Sequence, residues 1–295
     1  MVLLPSLKGR GRGWVGFRIS ARYGTSEPTY LSPSLPGEGA EREENFTIAP
    51  RADHSPRCNR LRMTWLYRSL LALVLAAIVA AGFMGWLGYF GGPLFTDVYP
   101  TKPQRPFAVV LLTGDLGYKI GMAPQIARRL AADGVPVVAV NTLTYLRTTR
   151  TPADITTLIA RAEQRALRLG RTDRVVLIGQ SFGADMLHVG LVDLAPELRA
   201  KIAKVALIVP EDNVQFRASP SEIFDLWTPT VDAMPTARQL TWAPLLCVQG
   251  VEEVGSLCPL MTQANATRIA LPGGHPLHRD ADALYEVLAR FVFAD

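Results

Sequence analysis

The sequence predicts a doubly wound α/β domain with a mostly parallel sheet, preceded by one transmembrane helix. Residues 69–90 carry no charged side chain, and strand-length apolar runs alternate with amphipathic helical stretches over residues 107–295. The runs are apolar at consecutive positions, which is typical of parallel strands covered on both faces. A chain that alternates strand and helix in this way forms right-handed βαβ units.

The charge-free segment 69–90 is long enough to cross the roughly 30 Å hydrocarbon core of a bilayer at about 1.5 Å per residue. The first basic residue after it is Lys102, and the arginines close before it are Arg57, Arg60, Arg62 and Arg68. Because positive charge favours the cytoplasmic side, we expect a single-pass anchor with a cytoplasmic N-terminus and residues 91–295 outside. A cleaved signal peptide is the alternative.

Composition divides the chain into four predicted parts. Residues 1–68 hold 11 Lys and Arg against 6 Asp and Glu and are rich in Gly, Pro and Ser, which predicts a disordered cytoplasmic arm. Residues 69–90 form the anchor, 91–106 a proline-rich linker and 107–295 the folded domain. The whole net charge of +5 lies in the arm, which argues against a nucleic-acid-binding domain. Met63 is an alternative translation start.

Six apolar runs are predicted strands, and the stretches between them are predicted helices. The strands cover 107–112, 135–140, 175–178, 205–209, 245–248 and 268–271. The helices cover 122–132, 184–194 and 281–292, with a further one that begins after Thr151. Ligands of such sheets bind beyond the carboxyl ends of the strands, so the loops that follow strands are the candidate functional segments.

The strand at 175–178 is followed by a serine motif and then a helix. The motif reads Gly179-Gln180-Ser181-Phe182-Gly183. A G-x-S-x-G pattern between a strand and a helix is the nucleophile elbow of α/β-hydrolases, where small residues let strand and helix approach closely. The sequence therefore predicts Ser181 as a nucleophile and the amide of Phe182 as an oxyanion donor. A glycine-rich turn with an idle serine is the alternative.

The histidines offer one leading candidate for the general base. His275 follows the last predicted strand, at the correct end of the sheet and after the nucleophile in chain order. His278 is the fallback. His188 falls inside the helix after the elbow, where a structural role is expected, and His54 lies in the arm.

The predicted acid lies in the loop after the strand at 245–248. Glu253 stands three residues beyond Gly250, with Glu252 as the runner-up and Asp212 as a weaker candidate. One carboxylate is enough to fix the tautomer of the imidazole and to stabilise the imidazolium. A solvated loop acid is the alternative.

The loop after the first predicted strand is the expected source of a second oxyanion donor. It reads Thr113-Gly114-Asp115-Leu116-Gly117. We predict that the backbone amide of Asp115 or Leu116 fills this role. The side chain of Asp115 is not assigned a role, because its charge would oppose a developing anion.

Together these segments resemble the VirJ/AcvB bacterial virulence proteins, a family of exported α/β-hydrolases. The matching pieces are 113–117, 134–138, Tyr145 to Pro152, 179–185, Glu252 to Pro259, and 271–275. The resemblance implies a periplasmic domain, hydrolysis of aminoacyl esters of phosphatidylglycerol such as lysyl-phosphatidylglycerol, and a link to type IV secretion proteins. Ser181, His275 and the Glu252/Glu253 pair fall on the family's functional positions. A non-catalytic adaptor of a secretion system with a hydrolase fold is the alternative.

The cysteines fit an exported domain. Cys247 and Cys258 flank the predicted acid loop, and a disulfide between them would steady that loop. Two buried thiols are the alternative. The sequence contains no C-x-x-C, H-E-x-x-H or glycine-rich phosphate loop, so neither a metal nor another cofactor is predicted.

Two further features suggest lipid contacts. Arg147 and Arg150 follow the second predicted strand on the site side and could meet a lipid phosphate, although solvation of a helix start is the alternative reading. Residues 211–242 form a longer insertion that either covers the site as a lid or only packs. Its aromatic residues are Phe216, Phe224, Trp227 and Trp242.

Overall fold

A computed structural model describes residues 56–218 and 230–294, with the backbone alone at 56–62. Its first element is α1, Pro56–Leu87. The part Met63–Leu87 is long and apolar enough to cross a membrane, and almost none of it is buried by the rest of the protein. The helix starts before the predicted 69–90, so 56–68 is helical and not part of a disordered arm. It ends at Leu87 because Gly88 adopts a left-handed φ of 101°.

A seven-stranded sheet forms the centre of the domain. Its spatial order is β1-β3-β2-β4-β5-β8-β9, and all neighbours are parallel except β1 and β3. The strands are β1 Phe95–Val98, β2 Ala108–Leu112, β3 Val137–Val140, β4 Val175–Gln180, β5 Ile202–Ile208, β8 Leu245–Gly250 and β9 Ala266–Leu271. This mostly parallel, doubly wound sheet is an α/β-hydrolase-type fold, and it confirms the predicted fold class.

Helices cover both faces of the sheet and bury it. They are α2 Ala123–Ala132, α3 Thr142–Leu146, α4 Pro152–Gly170, α5 Phe182–Gly190, α6 Pro196–Arg199, α7 Met234–Ala237 and α8 Ala281–Val292. α4 and α5 pack in one apolar layer, and α2 and α8 pack in the other. Residues in the central strands β2 and β3 are buried without exception, as consecutive apolar positions require.

The strand β1 was not predicted and lies inside the segment assigned as a linker, 91–106. It pairs antiparallel with β3, with Phe95 opposite Val140 and Val98 opposite Val137. It has only four residues, all of them half-buried. Its Asp97 carboxylate forms a two-pronged ion pair with the guanidinium of Arg165 at 2.7 Å for each contact. A short strand with a charged residue carries too weak an apolar pattern to be recognised in sequence.

The described part of the insertion at 211–242 packs against the domain. A two-stranded hairpin of β6, Asn213–Val214, and β7, Val231–Asp232, precedes α7. Phe216 and Trp242 pack on the core. Phe224 and Trp227 lie outside the described residues, as does His54. The described residues of the insertion therefore pack on the domain, and its role as a lid stays a prediction.

Candidate active site

The elbow places Ser181 on a tight turn between β4 and α5. The residue has φ 52° and ψ −128°, a conformation that L-residues adopt only when the surrounding structure enforces it. The glycines on either side make this possible. A Cβ at Gly179 would lie 2.5 Å from the carbonyl oxygen of Gly183, and a Cβ at Gly183 would collide with the carbonyl oxygens that end β2. Strand and helix could not approach so closely with larger residues.

The hydroxyl of Ser181 contacts the imidazole of His275, which in turn contacts Glu253. The Oγ of Ser181 lies 2.8 Å from Nε2 of His275, and Nδ1 of His275 lies 2.6 Å from Oε1 of Glu253. Three residues from three different loops at the carboxyl edge of the sheet are thus joined in one hydrogen-bonded series. If Nδ1 of His275 carries the proton and donates a hydrogen bond to Oε1 of Glu253, Nε2 is left free to accept the hydroxyl proton.

The backbone and the loop around Glu253 hold its carboxylate in place. Its side chain is only 2 % exposed. Its second oxygen, Oε2, accepts a hydrogen bond from the backbone N–H of Gly250 at 3.0 Å. Glu252 is exposed, and the Asp212 carboxylate accepts a hydrogen bond from the side chain of Asn213. Among the three candidate acids, the structure therefore brings Glu253 to the imidazole.

A disulfide closes the loop that carries Glu253. Cys247 in β8 and Cys258 are bonded, with their Cα atoms 5.6 Å apart. Both residues are fully buried. The cross-link ties the start of the acid loop to its end, so that the carboxylate is supplied by a segment with little freedom to move.

The electrostatic surroundings of His275 favour the protonated imidazole. Burial lowers the pKa of His275, but the hydrogen bond to Glu253 and the negative charges of Glu253, Glu211 and Asp115 together raise it above its ordinary value. An imidazolium at His275 would therefore be stabilised by these surroundings.

Two cavities meet at Ser181 and His275. A polar cavity of about 280 Å³ contains Ser181, His275 and Phe182, with the acidic residues Asp115, Asp185 and Glu211 in its wall. A second, more apolar cavity of about 420 Å³ also has Asp115, Ser181 and His275 in its wall. Its wall includes Leu116, Ile120, Met122, Pro276 and Arg279. The nucleophile is accessible from both.

The residues predicted as oxyanion donors lie beside the nucleophile. Phe182 directly follows Ser181 at the start of α5, and Asp115 lines both cavities. The loop before Asp115 runs close to the elbow, since a Cβ on Gly114 would lie 3.5 Å from Cβ of Ser181. Leu116 lines the apolar cavity and is partly exposed at its rim.

The carboxyl group of Asp185 is a part of the site wall that was not predicted from the sequence. Asp185 lies in the first turn of α5 and is 3 % exposed, and its Oδ1 accepts a hydrogen bond from the N–H of Glu211 at 2.9 Å. Burial raises the pKa of Asp185 well above its ordinary value, although the Glu211 N–H opposes this. The contact fastens the loop after β5 to α5. The sequence signal that could have indicated Asp185 is the presence of an acid four residues after Ser181, on the same helix face.

Other residues of the site wall come from the loop after β5, which the sequence analysis treated only as an insertion. Asn213, Gln215 and Arg217 line the polar cavity. The loop after β5 returns to α5, where the N–H of Glu211 donates a hydrogen bond to Oδ1 of Asp185. Nothing in the local pattern of 211–217 predicts such a return.

Arg147 and Arg150 do not line either cavity at Ser181. The guanidinium of Arg150 lies 4.3 Å from the centre of the Tyr145 ring, and its Nε donates a hydrogen bond to the carbonyl of Tyr145. Arg147 follows α3 and is exposed. The five-residue helix α3 starts immediately after Asn141 and precedes both arginines, and their contact with a lipid phosphate stays a prediction.

The other two described histidines do not reach the nucleophile. His188 is fully buried in α5, where its Nδ1 lies 2.8 Å from Oγ1 of Thr236, and burial lowers its pKa to about 3. This is the structural role expected for it. His278 packs against Gly273 in the turn after β9. Among the described residues, no group of three or more His, Cys, Asp or Glu is arranged to hold a metal ion.

The sequence matches the model of one protein family, described as bacterial virulence protein (VirJ), over residues 107–293. The chain belongs to the VirJ family. The match covers the whole of the sheet from β2 onward, together with the elbow, the acid loop and His275. The resemblance found in the sequence is thereby confirmed. The sequence matches none of the curated proteins with which it was compared.

Several solved structures are similar to this VirJ-family chain at low identity. Est1E from Butyrivibrio proteoclasticus has a TM-score of 0.49 at 13 % identity, over 67 % of this chain and 92 % of its own. An alpha-beta serine hydrolase homologue from Coxiella burnetii has a TM-score of 0.47 at 15 % identity, over 67 % and 90 %. An esterase domain from a Rhodothermus marinus protein has a TM-score of 0.47 at 18 % identity, over 66 % and 90 %.

Proposed function

We propose that this VirJ-family protein is a membrane-anchored periplasmic serine esterase that hydrolyses aminoacyl esters of phosphatidylglycerol. The observation that carries the proposal is the hydrogen-bonded series from Ser181 through His275 to Glu253, with distances of 2.8 Å and 2.6 Å. The strained elbow supports it, because a backbone held at φ 52° is retained where it serves a function.

In the proposed reaction Ser181 is the nucleophile and His275 is the general base. Nε2 of His275 takes the hydroxyl proton while Oγ attacks the ester carbonyl, and the amides of Phe182 and of Asp115 or Leu116 stabilise the oxyanion. The intermediate collapses when His275 returns the proton to the departing glycerol oxygen. Water then attacks the acyl-enzyme by the same route and releases the amino acid. Glu253 orients the imidazole throughout.

The polar cavity supports an acyl group that carries an ammonium. The carboxyl groups of Asp115 and Glu211 line the cavity that contains Ser181, and nearby carboxylates attract a cation in a partly desolvated site. The disulfide supports an oxidising compartment such as the periplasm. The helix Met63–Leu87 supports retention at the membrane, with the N-terminus on the cytoplasmic side.

A fluorophosphonate probe tests the nucleophile. We expect the wild-type protein to be labelled and Ser181→Ala to be unlabelled, because the probe phosphonylates only an activated serine. Ser256→Ala is a matched control outside the site and should label as the wild type does. If the folded wild-type protein is not labelled, the esterase is contradicted and a non-catalytic adaptor of a type IV secretion system is favoured.

Lipid extracts test the substrate. Cells that lack the protein, or that carry Ser181→Ala, are expected to accumulate aminoacylated phosphatidylglycerol relative to cells with the wild type. Thin-layer chromatography and mass spectrometry of the extracts provide the measurement. Unchanged lipid levels, with normal labelling of the protein, would contradict this substrate and leave the esterase in place.

A further inference from the structure

The chain enters the folded domain at the same edge of the sheet that carries the nucleophile. α1 ends at Leu87, and β1 begins at Phe95, which lies opposite Val140 at the carboxyl end of β3. β1 then runs antiparallel to its neighbour, toward the amino ends of the parallel strands. Ser181 follows the carboxyl end of β4. The end of the apolar helix and the active site therefore share the carboxyl edge of the sheet.

Direct contacts fix the end of α1 to the loops at this edge. Leu87 is completely buried, and its carbonyl accepts a hydrogen bond from Nδ2 of Asn141 at 3.3 Å. The carbonyl of Gly88 accepts a hydrogen bond from Oγ1 of Thr144 at 3.0 Å. The ammonium of Lys119 lies 5.1 Å from the centre of the Trp86 ring. We name this set of contacts, between 84–89 and the loops after β2 and β3, the joint.

The apolar cavity begins immediately beside the joint. Asn141, which holds the end of α1, also packs on Gly117, where a Cβ would lie 2.6 Å from its Oδ1. Gly117 is part of the cavity wall. A single side chain therefore separates the end of the helix from the cavity that contains Ser181.

Exposed apolar side chains continue from the helix to the mouth of this cavity. Trp86 is 51 % exposed and Phe90 is 62 % exposed at the end of α1, and Leu116 is 37 % exposed at the rim of the cavity. Aromatic side chains of this kind sit at the headgroup level of bilayers, where one part of the ring is apolar and the surroundings are wet. Lys119 adds a positive charge beside them, which suits an anionic lipid surface.

We propose that the carboxyl edge of the sheet faces the bilayer that holds α1, and that the apolar cavity receives the glyceride part of an ester from that same leaflet. The inference rests on the proposed function for the retained anchor and for the nucleophile. A tether alone raises the local concentration of a lipid ester, whereas a tether with a fixed joint also presents the nucleophile to it in one orientation. The partner proposed for the carboxyl edge of the sheet is therefore the surface of a phospholipid bilayer.

Fluorescence quenching tests the orientation directly. The full chain with Cys58→Ser is reconstituted in phosphatidylglycerol vesicles that carry a headgroup quencher in both leaflets. A maleimide dye is placed on Leu116→Cys at the cavity rim or, as a matched control, on Asp173→Cys at the opposite, amino edge of the sheet. We expect quenching at position 116 to exceed that at position 173 several-fold. Equal quenching at the two positions, or stronger quenching at 173, overturns the proposal.

A second experiment separates the joint from the tether. A flexible Gly/Ser insertion of about twelve residues between Gly91 and Gly92 leaves the joint intact. The same insertion with Leu87→Ser and Thr144→Val, here called the released variant, weakens the joint, because it removes the buried side chain of Leu87 and the hydrogen bond that Thr144 donates to Gly88. Two probes are compared: p-nitrophenyl butyrate in water and p-nitrophenyl palmitate in phosphatidylglycerol vesicles. We expect the released variant to hydrolyse the vesicle-borne ester about tenfold more slowly than the wild type and the soluble ester at the wild-type rate. The insertion alone should leave both rates unchanged.

The outcomes distinguish the two proposals. Equal rates of the released variant and the wild type on vesicles overturn the orientation and leave the esterase standing. Loss of the soluble activity in the released variant would indicate misfolding, and the quenching result then decides. If the wild type hydrolyses neither probe, the proposed esterase fails, while the quenching experiment still decides whether the carboxyl edge faces the membrane.

Discussion

The domain buries ionisable side chains in two places, and the two places treat them differently. At the carboxyl edge, both oxygens of the buried Glu253 accept hydrogen bonds, one from His275 and one from the N–H of Gly250. In the layer of α4 and α5, Glu163 is completely buried, and neither of its oxygens has a hydrogen-bond partner among the described residues. His188 in the same layer also leaves Nε2 without a partner there.

The difference shows what partners do for a buried charge. Burial raises the pKa of Glu163 to about 7 and lowers that of His188, which keeps one contact with Thr236, to about 3, so both groups tend toward their neutral forms. At the edge, burial lowers the pKa of His275, but the hydrogen bond to Glu253 and the negative charges of Glu253, Glu211 and Asp115 raise it above its ordinary value. Hydrogen-bond partners offset the cost of burying a charge, whereas a buried polar group without them lowers stability.

Removing the charge of Glu253 should have the largest effect. We expect Glu253→Gln to lower kcat on p-nitrophenyl butyrate by about 10³–10⁴-fold, because the amide favours the wrong tautomer of His275 and cannot stabilise the imidazolium. Steady-state kinetics provide the measurement. Glu252→Gln, one residue away and exposed, is the matched control and should stay within a few-fold of the wild type. Similar losses in both variants would contradict the assignment of the acid.

The same variant should move the pH dependence of the reaction. Activity requires neutral His275, so kcat/KM of the wild type should fall as the pH drops through the raised pKa of His275, above the ordinary value of 6.5. In Glu253→Gln the largest remaining influence on the imidazole is burial, which lowers its pKa. The midpoint of the residual activity should therefore shift to lower pH. A midpoint that stays in place or rises would show that Glu253 does not set it.

Opening the acid loop should have a smaller effect, on stability. The double variant Cys247→Ala/Cys258→Ala should lose about 2–3 kcal/mol of unfolding free energy, because the loop closed by the disulfide regains its freedom in the unfolded chain. For a domain of this size we expect a decrease in Tm of about 5–10 °C, measured by calorimetry. Dithiothreitol should lower the Tm of the wild type and leave that of the variant unchanged. A variant as stable as the wild type would refute the contribution of the cross-link.

The smallest effect should come from the unsatisfied carboxyl group of Glu163. Its pKa is raised from 4.5 to about 7 on folding, so its ionisation opposes folding as the pH rises between these values. We expect the stability of Glu163→Gln relative to the wild type to increase by about 2 kcal/mol between pH 5 and pH 8. Urea denaturation at the two pH values provides the measurement, with the exposed Glu286→Gln as control. If the difference in unfolding free energy between Glu163→Gln and the wild type is the same at both pH values, Glu163 is not desolvated by folding.

The sequence predicted the parts of the site that depend on local rules. Ser181 follows from a glycine pattern between a strand and a helix, which needs no knowledge of the rest of the chain. His275 and Glu253 follow from their places after β9 and β8, because the carboxyl ends of parallel strands meet at one edge. The structure brings these three side chains together. Their catalytic roles are still a prediction.

What the sequence did not predict depends on long-range contacts. Asp185 and Glu211 line the polar cavity because the loop after β5 folds back on α5, and no local pattern encodes that return. Arg147 and Arg150 were placed near the site because they follow β3. They are separated from β3 by the short helix α3, whose N-cap residue Asn141 accepts a hydrogen bond from the N–H of Thr144. A helix of five residues is too short to show periodicity in sequence.

The unpredicted strand β1 has a practical consequence for work on the isolated domain. It covers the outer side of β3, whose four residues are apolar and buried. A shortened chain that starts at residue 107 would lack β1. The edge of the apolar strand β3 would then expose a row of unpaired N–H and C=O groups, which can pair with other chains and cause aggregation. Soluble versions of the protein should therefore begin before Phe95, so that they keep β1 and the edge of β3 stays paired.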